Sequence, residues 1–223
     1  MQSFHIMRPI AIFLRALTLS LILSSSVAAA EFVLTSWGDW KGDELFAKVK
    51  SDYVAMDLMD LSLSKTMTYD KGHGLVLYRK ELKEDKTVFV PAVKVSVPAS
   101  IIKPLVMLYM VEGSVRYRVL EMSPEKYPGS SIRFVNLSPR NLVVTFGEKN
   151  YGLKPASEVL VKPQIREKKA VQITASIITG ESKLQKMYSS MILNRPKKRM
   201  VMFFHPTGPN ELHCRSLVDF VRD

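Results

Sequence analysis

The residues best suited to metal chemistry lie together near the C-terminus: Met200, Met202, His205, His213 and Cys214. Thioether, imidazole and thiolate groups suit copper outside the cytoplasm. Side chains alternate along a strand, so Met202 and His205 would point to opposite faces, and His213 and Cys214 would diverge. Methionine also commonly fills gaps in a protein core. The spacing therefore favours core packing over a metal site, and we expect no metal and no cofactor.

Motifs for hydrolysis give weaker signals. The sequence has no Gly-x-Ser-x-Gly elbow and no His-Glu-x-x-His segment, and Ser138-Pro139 is typical of a turn. Carboxylates such as Asp57 with Asp60, or Glu84 with Asp85, need only meet in space to hydrolyse a glycoside. Solvated turns explain the same residues. We therefore predict a protein that is not an enzyme, with a small secreted hydrolase as an alternative.

Two tryptophans, Trp37 and Trp40, lie close together near the start of the predicted folded region. Indole rings beside an exposed loop could stack on a sugar. The favoured interpretation is that they are buried and hold the first segment against the core, because indole contributes a large apolar surface.

The elements that position these residues begin after a predicted signal peptide at residues 1–30. Arg8 and Arg15 precede an apolar run from Ala16 to Leu23, and small residues follow up to Ala30. This order is typical of a secretory signal peptide cleaved near Ala30, and the apolar run is shorter than the roughly 20 residues that span a bilayer. We therefore expect a periplasmic or secreted protein with no transmembrane segment after signal removal.

Charge is distributed unevenly along the chain. Residues 31–100 contain ten Lys and Arg against eleven Asp and Glu, whereas residues 101–223 contain twenty against ten. The densest cluster is Arg195-Pro196-Lys197-Lys198-Arg199, here called the basic loop, with Lys168 and Lys169 upstream. Outside the cytoplasm such a field favours an acidic protein, an anionic polysaccharide or an envelope surface, and we expect no nucleic-acid partner. A solvated hairpin tip would explain the same charges.

Period-two patterning predicts a mainly β protein. Valines from Val88 to Val97 mark a strand in which Pro91 indicates an edge or a bulge. The residues around Glu112-Gly113-Ser114 predict a hairpin. Leu184–Leu193 and Met200–Phe204 are predicted to be two arms joined across the basic loop. Further strands are predicted at 132–136, 142–146, 159–161, 171–178 and 217–221.

One short helix is predicted from Glu44 to about Tyr53, capped by Asp43. A break rich in proline and glycine at Pro124–Gly129 divides the chain into an N-terminal β-rich unit, 31–125, and a C-terminal basic β-sandwich unit, 126–223. No internal repeat is visible in the sequence. Cys214 is the only cysteine, so the fold has no internal disulfide, and we interpret this thiol as a small buried apolar group.

The segment Tyr127–Pro139, with its continuation through Phe146-Gly147, Leu153-Lys154-Pro155 and Val161-Lys162-Pro163, resembles short exported bacterial β-sandwich proteins of unassigned activity. In those proteins a Pro-Gly turn leads into a strand that ends in Asn-Leu-Ser. A glycine commonly follows their Leu-x-Pro step, where this chain has Ala156. The resemblance implies an immunoglobulin-like antiparallel β-sandwich, built as one or two packed units, and implies no activity.

Together these observations predict an exported, non-enzymatic binding or accessory protein of the bacterial cell envelope. Its predicted contacts to an acidic partner or polymer are Arg195, Lys197, Lys198 and Arg199 of the basic loop, with Lys168 and Lys169. An alternative is an assembly or structural protein that pairs through an exposed strand edge at Val88–Val97. The sequence leaves the oligomeric state open.

Overall fold

The computed structural model describes residues 29–38, 40, 42–71, 73–111, 113–163, 168–179, 183–208 and 211–221. The first eight strands are β1 (Ala29–Ser36), β2 (Leu45–Val49), β3 (Asp52–Ala55), β4 (Met67–Asp70), β5 (Leu75–Lys83), β6 (Lys86–Val95), β7 (Pro104–Val111) and β8 (Ser114–Glu121). The next eight are β9 (Ile132–Asn136), β10 (Leu142–Phe146), β11 (Lys149–Leu153), β12 (Glu158–Val161), β13 (Lys169–Ile178), β14 (Leu184–Asn194), β15 (Lys198–Gly208) and β16 (Glu211–Phe220).

The two groups of eight strands have the same connectivity. The first group forms sheets of order β4-β1-β7-β8 and β3-β2-β5-β6, and the second forms β12-β9-β15-β16 and β11-β10-β13-β14. Each strand of the first half thus corresponds to the strand eight places later. Even the one parallel pairing repeats, since β1 runs parallel to β7 and β9 runs parallel to β15. The fold is an internal structural repeat that the sequence does not reveal.

The four sheets stack as four layers with three apolar cores between them. On β1, Phe32 and Leu34 face β2, β5 and β6 in the first core, whereas Val33 on the opposite face belongs to the central core. On β15, Met202 and Phe204 face the third core, and Phe203 faces the central one. Each half is therefore a sandwich of two sheets, and the central core joins the halves.

This stacking explains why the inner strands have continuous apolar runs. A sheet covered on both faces cannot alternate between apolar and polar residues, because neither face meets water. Ile132–Asn136 is buried at every position, and so are six consecutive residues of β15 from Arg199 to Phe204. The polar residues in these runs need partners inside the protein.

The polar residues of the central core are organised around Tyr127, which is fully buried. The guanidinium groups of Arg133 and Arg199 lie 5.0 and 5.3 Å from the centre of its ring. Arg133 donates to the carbonyl oxygen of Glu121 at 2.9 Å, and Arg199 donates to that of Met122 at 2.7 Å. The two arginines thus bind the segment that connects the halves.

Most strand predictions agree with the structure. The hairpin β7–β8 forms around Gly113, whose φ of 76° suits a glycine in a tight turn. Pro91 lies on an edge strand and also at a bulge, because Leu77 pairs with Val93 while Tyr78 pairs with Pro91. Strands β1–β8 pair with one another, and strands β9–β16 pair with one another. The segment between the two groups, Met122–Ser131, contains the predicted break.

Two predictions were wrong. The predicted helix at 44–53 is the hairpin β2–β3, which turns at Lys50, where φ is 57°. Both faces of β2 are buried, so Leu45 and Phe46 looked like one side of a helix. The arms around the basic loop do not pair with each other, because β14 pairs with β13 and β15 pairs with β9 and β16. The basic loop therefore crosses between two sheets.

The predicted signal peptide falls mostly on residues 1–28, which lie outside the described residues. Its last two residues, Ala29 and Ala30, open β1, where Ala30 pairs with Tyr69. Within the described ranges, no helix is long and apolar enough to cross a bilayer.

Candidate functional site: the basic end of the C-terminal half

Among the described residues of the C-terminal half, six exposed lysines and arginines lie at one end of it: Lys149, Lys162, Lys168, Lys169, Arg195 and Lys197. At this end β9, β11, β13 and β15 begin and the other four strands finish, as shown by the pairing of Ile132 with both Val161 and Met200 and of Phe146 with Ile173. We call it the basic end. Because Lys169 pairs with Asn194, Lys168 and Lys169 lie directly beside the basic loop.

The basic loop is held in place by hydrogen bonds from the segment before β9. Ser130 donates its backbone N–H to the carbonyl oxygen of Lys198 at 2.8 Å and its hydroxyl to that of Pro196 at 3.0 Å. The buried amide of Asn194 donates to the carbonyl oxygen of Ser130 at 2.9 Å and accepts from the N–H of Arg195 at 2.9 Å. These hydrogen bonds restrain the shape of the loop.

Gly129 has a steric role in the same contact. A Cβ atom added there would lie 2.3 Å from the carbonyl oxygen of Pro196, which is far closer than van der Waals contact permits. The Pro-Gly turn that carries the resemblance therefore leaves room for the backbone of the basic loop.

The six predicted contact residues separate into two groups. Arg195, Lys197, Lys168 and Lys169 are exposed at the basic end. Their role in binding stays a prediction, and the structure brings them together on one surface.

The other two residues, Lys198 and Arg199, are directed inward. Lys198 is half-buried and donates from Nζ to the carbonyl oxygen of Leu193 at 3.0 Å, while burial, followed by the nearby charge of Arg195, lowers its pKa. The side chain of Arg199 is only 7% exposed and binds Asp219 at 2.5 Å. Arg199 therefore belongs to the central core, and its prediction as a surface contact needs correction.

A groove of about 990 Å³ continues from this surface between the two sheets of the C-terminal half. Lys149, Lys162, Lys168 and Lys169 line it, with Tyr151 on its wall and Glu148 as the acidic lining residue. Lys149 and Lys162 were not predicted as site residues. Lys149 directly follows a turn and Lys162 directly follows strand β12. These positions at the ends of strands were the sequence signal that could have indicated them.

The N-terminal half has a groove in the equivalent place. It measures about 690 Å³ and is lined by Lys48, Lys50, Asp70 and His73, and Nδ1 of His73 lies 2.5 Å from Oδ2 of Asp70. The repeated connectivity is therefore accompanied by two grooves, of which the C-terminal one is larger and richer in lysine.

The fold divides the C-terminal residues with metal-binding groups between different environments, although the rings of His205 and His213 lie beside each other, with centroids 6.0 Å apart. Met200 and Met202 are buried in the core of the C-terminal half, and the thiol of Cys214 packs at its margin, where burial raises its pKa to about 12. The ring of His205 lies against Trp37, with centroids 4.8 Å apart. Among the described residues no group of three or more His, Cys, Asp and Glu could hold a metal ion.

The tryptophans and the candidate carboxylates have local structural contacts. Trp37 packs against Phe203 of the other half at 5.4 Å between ring centroids, so it contributes to the joint between halves. Asp60 accepts from the backbone N–H of Gly38 at 2.8 Å and pairs with Arg215. Glu84 and Asp85 form the exposed turn between β5 and β6.

Comparison with known proteins gives no further identification. No protein-family model matches the chain, and no curated protein matches it.

Proposed function

We propose that the protein is an exported, non-enzymatic binding or accessory component of the bacterial envelope that recognises a carboxylate-bearing partner through its basic end. The observation that carries this proposal is the meeting of Arg195 and Lys197 with Lys168 and Lys169 on one surface, continuous with the lysine-lined groove. Opposite charge on a partner would steer its approach and set the association rate.

The rigidity of the basic loop supports the same proposal. A loop already fixed by Ser130 and Asn194 loses little conformational freedom on binding, so more of the interaction free energy contributes to affinity. The proposal also includes a signal peptide and export. It includes an immunoglobulin-like character for each sandwich, and the two four-stranded sheets of each half support that part in general terms.

Pairing through the Val88–Val97 edge has weaker support. Strand β6 is an edge strand, but Pro91 lacks a backbone donor, a bulge interrupts its ladder, and Lys86 and Lys94 are exposed on it. Proline, bulges and lysine are the features by which proteins protect edges from pairing.

A binding titration tests the proposal. The variant with Arg195→Ser, Lys197→Ser, Lys168→Ser and Lys169→Ser is compared with a control that loses the same charge from the N-terminal half through Lys65→Ser, Lys71→Ser, Lys86→Ser and Lys94→Ser. Exposed ion pairs contribute about 0.5 kcal/mol each, so we expect the first variant to bind polyglutamate and polygalacturonate about thirtyfold more weakly.

The control variant should bind both polymers nearly as the wild type does. Raising the salt from about 50 mM to about 500 mM should remove binding by the wild type, because salt screens exposed charges. Equal losses in the two variants would show that net charge alone explains binding and would contradict a specific site. Binding of one polymer alone would identify the source of the carboxylates.

A further inference from the structure

The edge strand β14 provides a second, more specific feature beside the basic end. It has the same position in its sheet as β6 has in the first half. Unlike β6, it contains no proline, and from Leu184 to Asn194 it has no acidic residue. Its regular part, Tyr188–Asn194, pairs with Lys169–Ala175 of β13 without interruption. Among the described strands none pairs with its other edge.

The hydrogen bonding of β13 shows which backbone groups of β14 point outward. Gly147 donates its N–H to the carbonyl oxygen of Gln172 at 3.1 Å, so the backbone of Gln172 faces β10. The N–H and C=O groups of its neighbour Ile173 must then point towards β14, because the backbone groups of successive residues point to opposite edges of a strand. Ile173 pairs with Ser190, which leaves the N–H and C=O groups of Ser189 and Met191 directed away from the sheet.

The side chains along this edge are suited to a strand that carries negative charge. Met191 is 62% exposed and offers apolar contact. Lys186 is exposed towards one end of the strand, and Lys169 and Arg195 are exposed at the other. An extended acidic segment lying on β14 would therefore meet cations at both ends and would finish at the basic end.

We infer that the partner is a polypeptide with an acidic extended segment, and that this segment adds to β14 as a further antiparallel or parallel strand. The inference rests on the proposed function, because the basic end supplies the charge that selects the segment. Main-chain hydrogen bonds to Ser189 and Met191 would supply affinity, as in other cases of strand addition. A polysaccharide has no backbone amides and could use only the basic end.

The first test changes the ligand and leaves the protein intact. The probe is a capped peptide of about twelve residues with alternating glutamate and valine, and its control has N-methyl groups on both the glutamates and the valines of a central part of about six residues. The two peptides carry the same charge, but the control lacks backbone donors on both edges of that central part, whichever edge faces β14. Because each lost hydrogen bond costs about 0.5–1.5 kcal/mol, we expect the methylated peptide to bind at least about tenfold more weakly.

The second test changes the strand. The variants Ser189→Pro and Met191→Pro remove outward donors that β13 does not use, a position where edge strands tolerate proline. Each should weaken the plain peptide by about tenfold and leave polygalacturonate binding unchanged. In the wild type, the plain peptide should slow hydrogen exchange at the amides of Ser189 and Met191, a readout that does not depend on the folding of a variant.

The outcomes separate this inference from the proposed function. Equal affinity for the two peptides, or no slowing of exchange at Ser189 and Met191, would overturn strand addition, and so would binding of polygalacturonate without binding of the peptide. If strand addition failed in this way but both peptides still required the four cations of the basic end, the proposed function would remain supported without the inference. Peptide binding that ignored those cations would overturn the inference, which depends on them, whereas polygalacturonate binding that ignored them would overturn the proposed function.

Discussion

The two halves of this chain share one strand connectivity and differ in charge. From Glu31 to Glu121 the sequence has thirteen basic and thirteen acidic residues, whereas from Met122 to Asp223 it has seventeen and eight. The equivalent grooves show the same contrast, with two lysines, His73 and Asp70 in the N-terminal groove and four lysines with Glu148 in the C-terminal one. Two halves with the same strand connectivity can therefore differ strongly in the charge of their surfaces.

The halves also differ in their use of buried charge. Arg133 and Arg199, the buried arginines of the described residues, both belong to the C-terminal half, where they hold the connecting segment against Tyr127. The acceptors come from both halves, since the carbonyl oxygen of Glu121 closes the N-terminal half and the carboxylate of Asp219 belongs to the C-terminal half. One half thus supplies the donors that fix the joint, and the other supplies part of the surface that receives them.

The largest effect is expected from Arg199→Ala. The change would leave Asp219 and the carbonyl oxygens of Met122 and Tyr127 without their donor, and breaking a buried pair costs about 3–5 kcal/mol. Denaturant unfolding should show this loss of stability. The matched control Arg195→Ala, in the same basic run but exposed, should change stability by less than about 0.5 kcal/mol, and similar losses in both would refute the structural role of Arg199.

A smaller effect is expected from Gly129→Ala. The added methyl group must displace the carbonyl of Pro196, so we expect a loss of about 1–3 kcal/mol together with weaker binding of polyglutamate, because the basic loop would shift. Gly152→Ala is the control, since a Cβ atom at Gly152 meets no atom within 4 Å. Unchanged binding by Gly129→Ala would show that the shape of the basic loop is unimportant.

The smallest effect is expected from substitutions in the two grooves, which compare their contributions to binding directly. Removing two cations from the C-terminal groove, through Lys149→Gln and Lys162→Gln, should weaken polyglutamate binding by about threefold to tenfold. The corresponding change in the N-terminal groove, Lys48→Gln with Lys50→Gln, should leave binding nearly unchanged. Equal effects in an equilibrium titration would mean that the two grooves act alike.

Much of the strand content could be predicted because period-two patterning reports which side chains are covered. The pattern failed at β2, where Phe46 on the outer face is buried under an aromatic cluster with Phe89 and Tyr53, so that both faces of the strand are apolar. The internal repeat could not be predicted, because only the order of strands in the sheets shows it and the two halves have no visible sequence similarity.

The candidate site was predictable in part. The cluster of cations from Arg195 to Arg199 marked the end of the molecule at which we propose binding, but charge alone does not distinguish an exposed arginine from a buried one. Arg199 alternates with Val201 and Phe203 on the face that forms the central core, a pattern that could have assigned it to the interior. The proximity of Lys149 and Lys162 depends on pairing between distant strands, which the sequence does not show.

Lysine acetylation with and without polyglutamate tests the central claim most directly, because both grooves are measured in the same molecule without any substitution. If the basic end binds the polymer, Lys149, Lys162, Lys168, Lys169 and Lys197 should become protected, while Lys48, Lys50 and Lys71 of the N-terminal half react at their original rates. Equal protection of the two sets, or protection of the N-terminal lysines alone, would contradict recognition by the basic end.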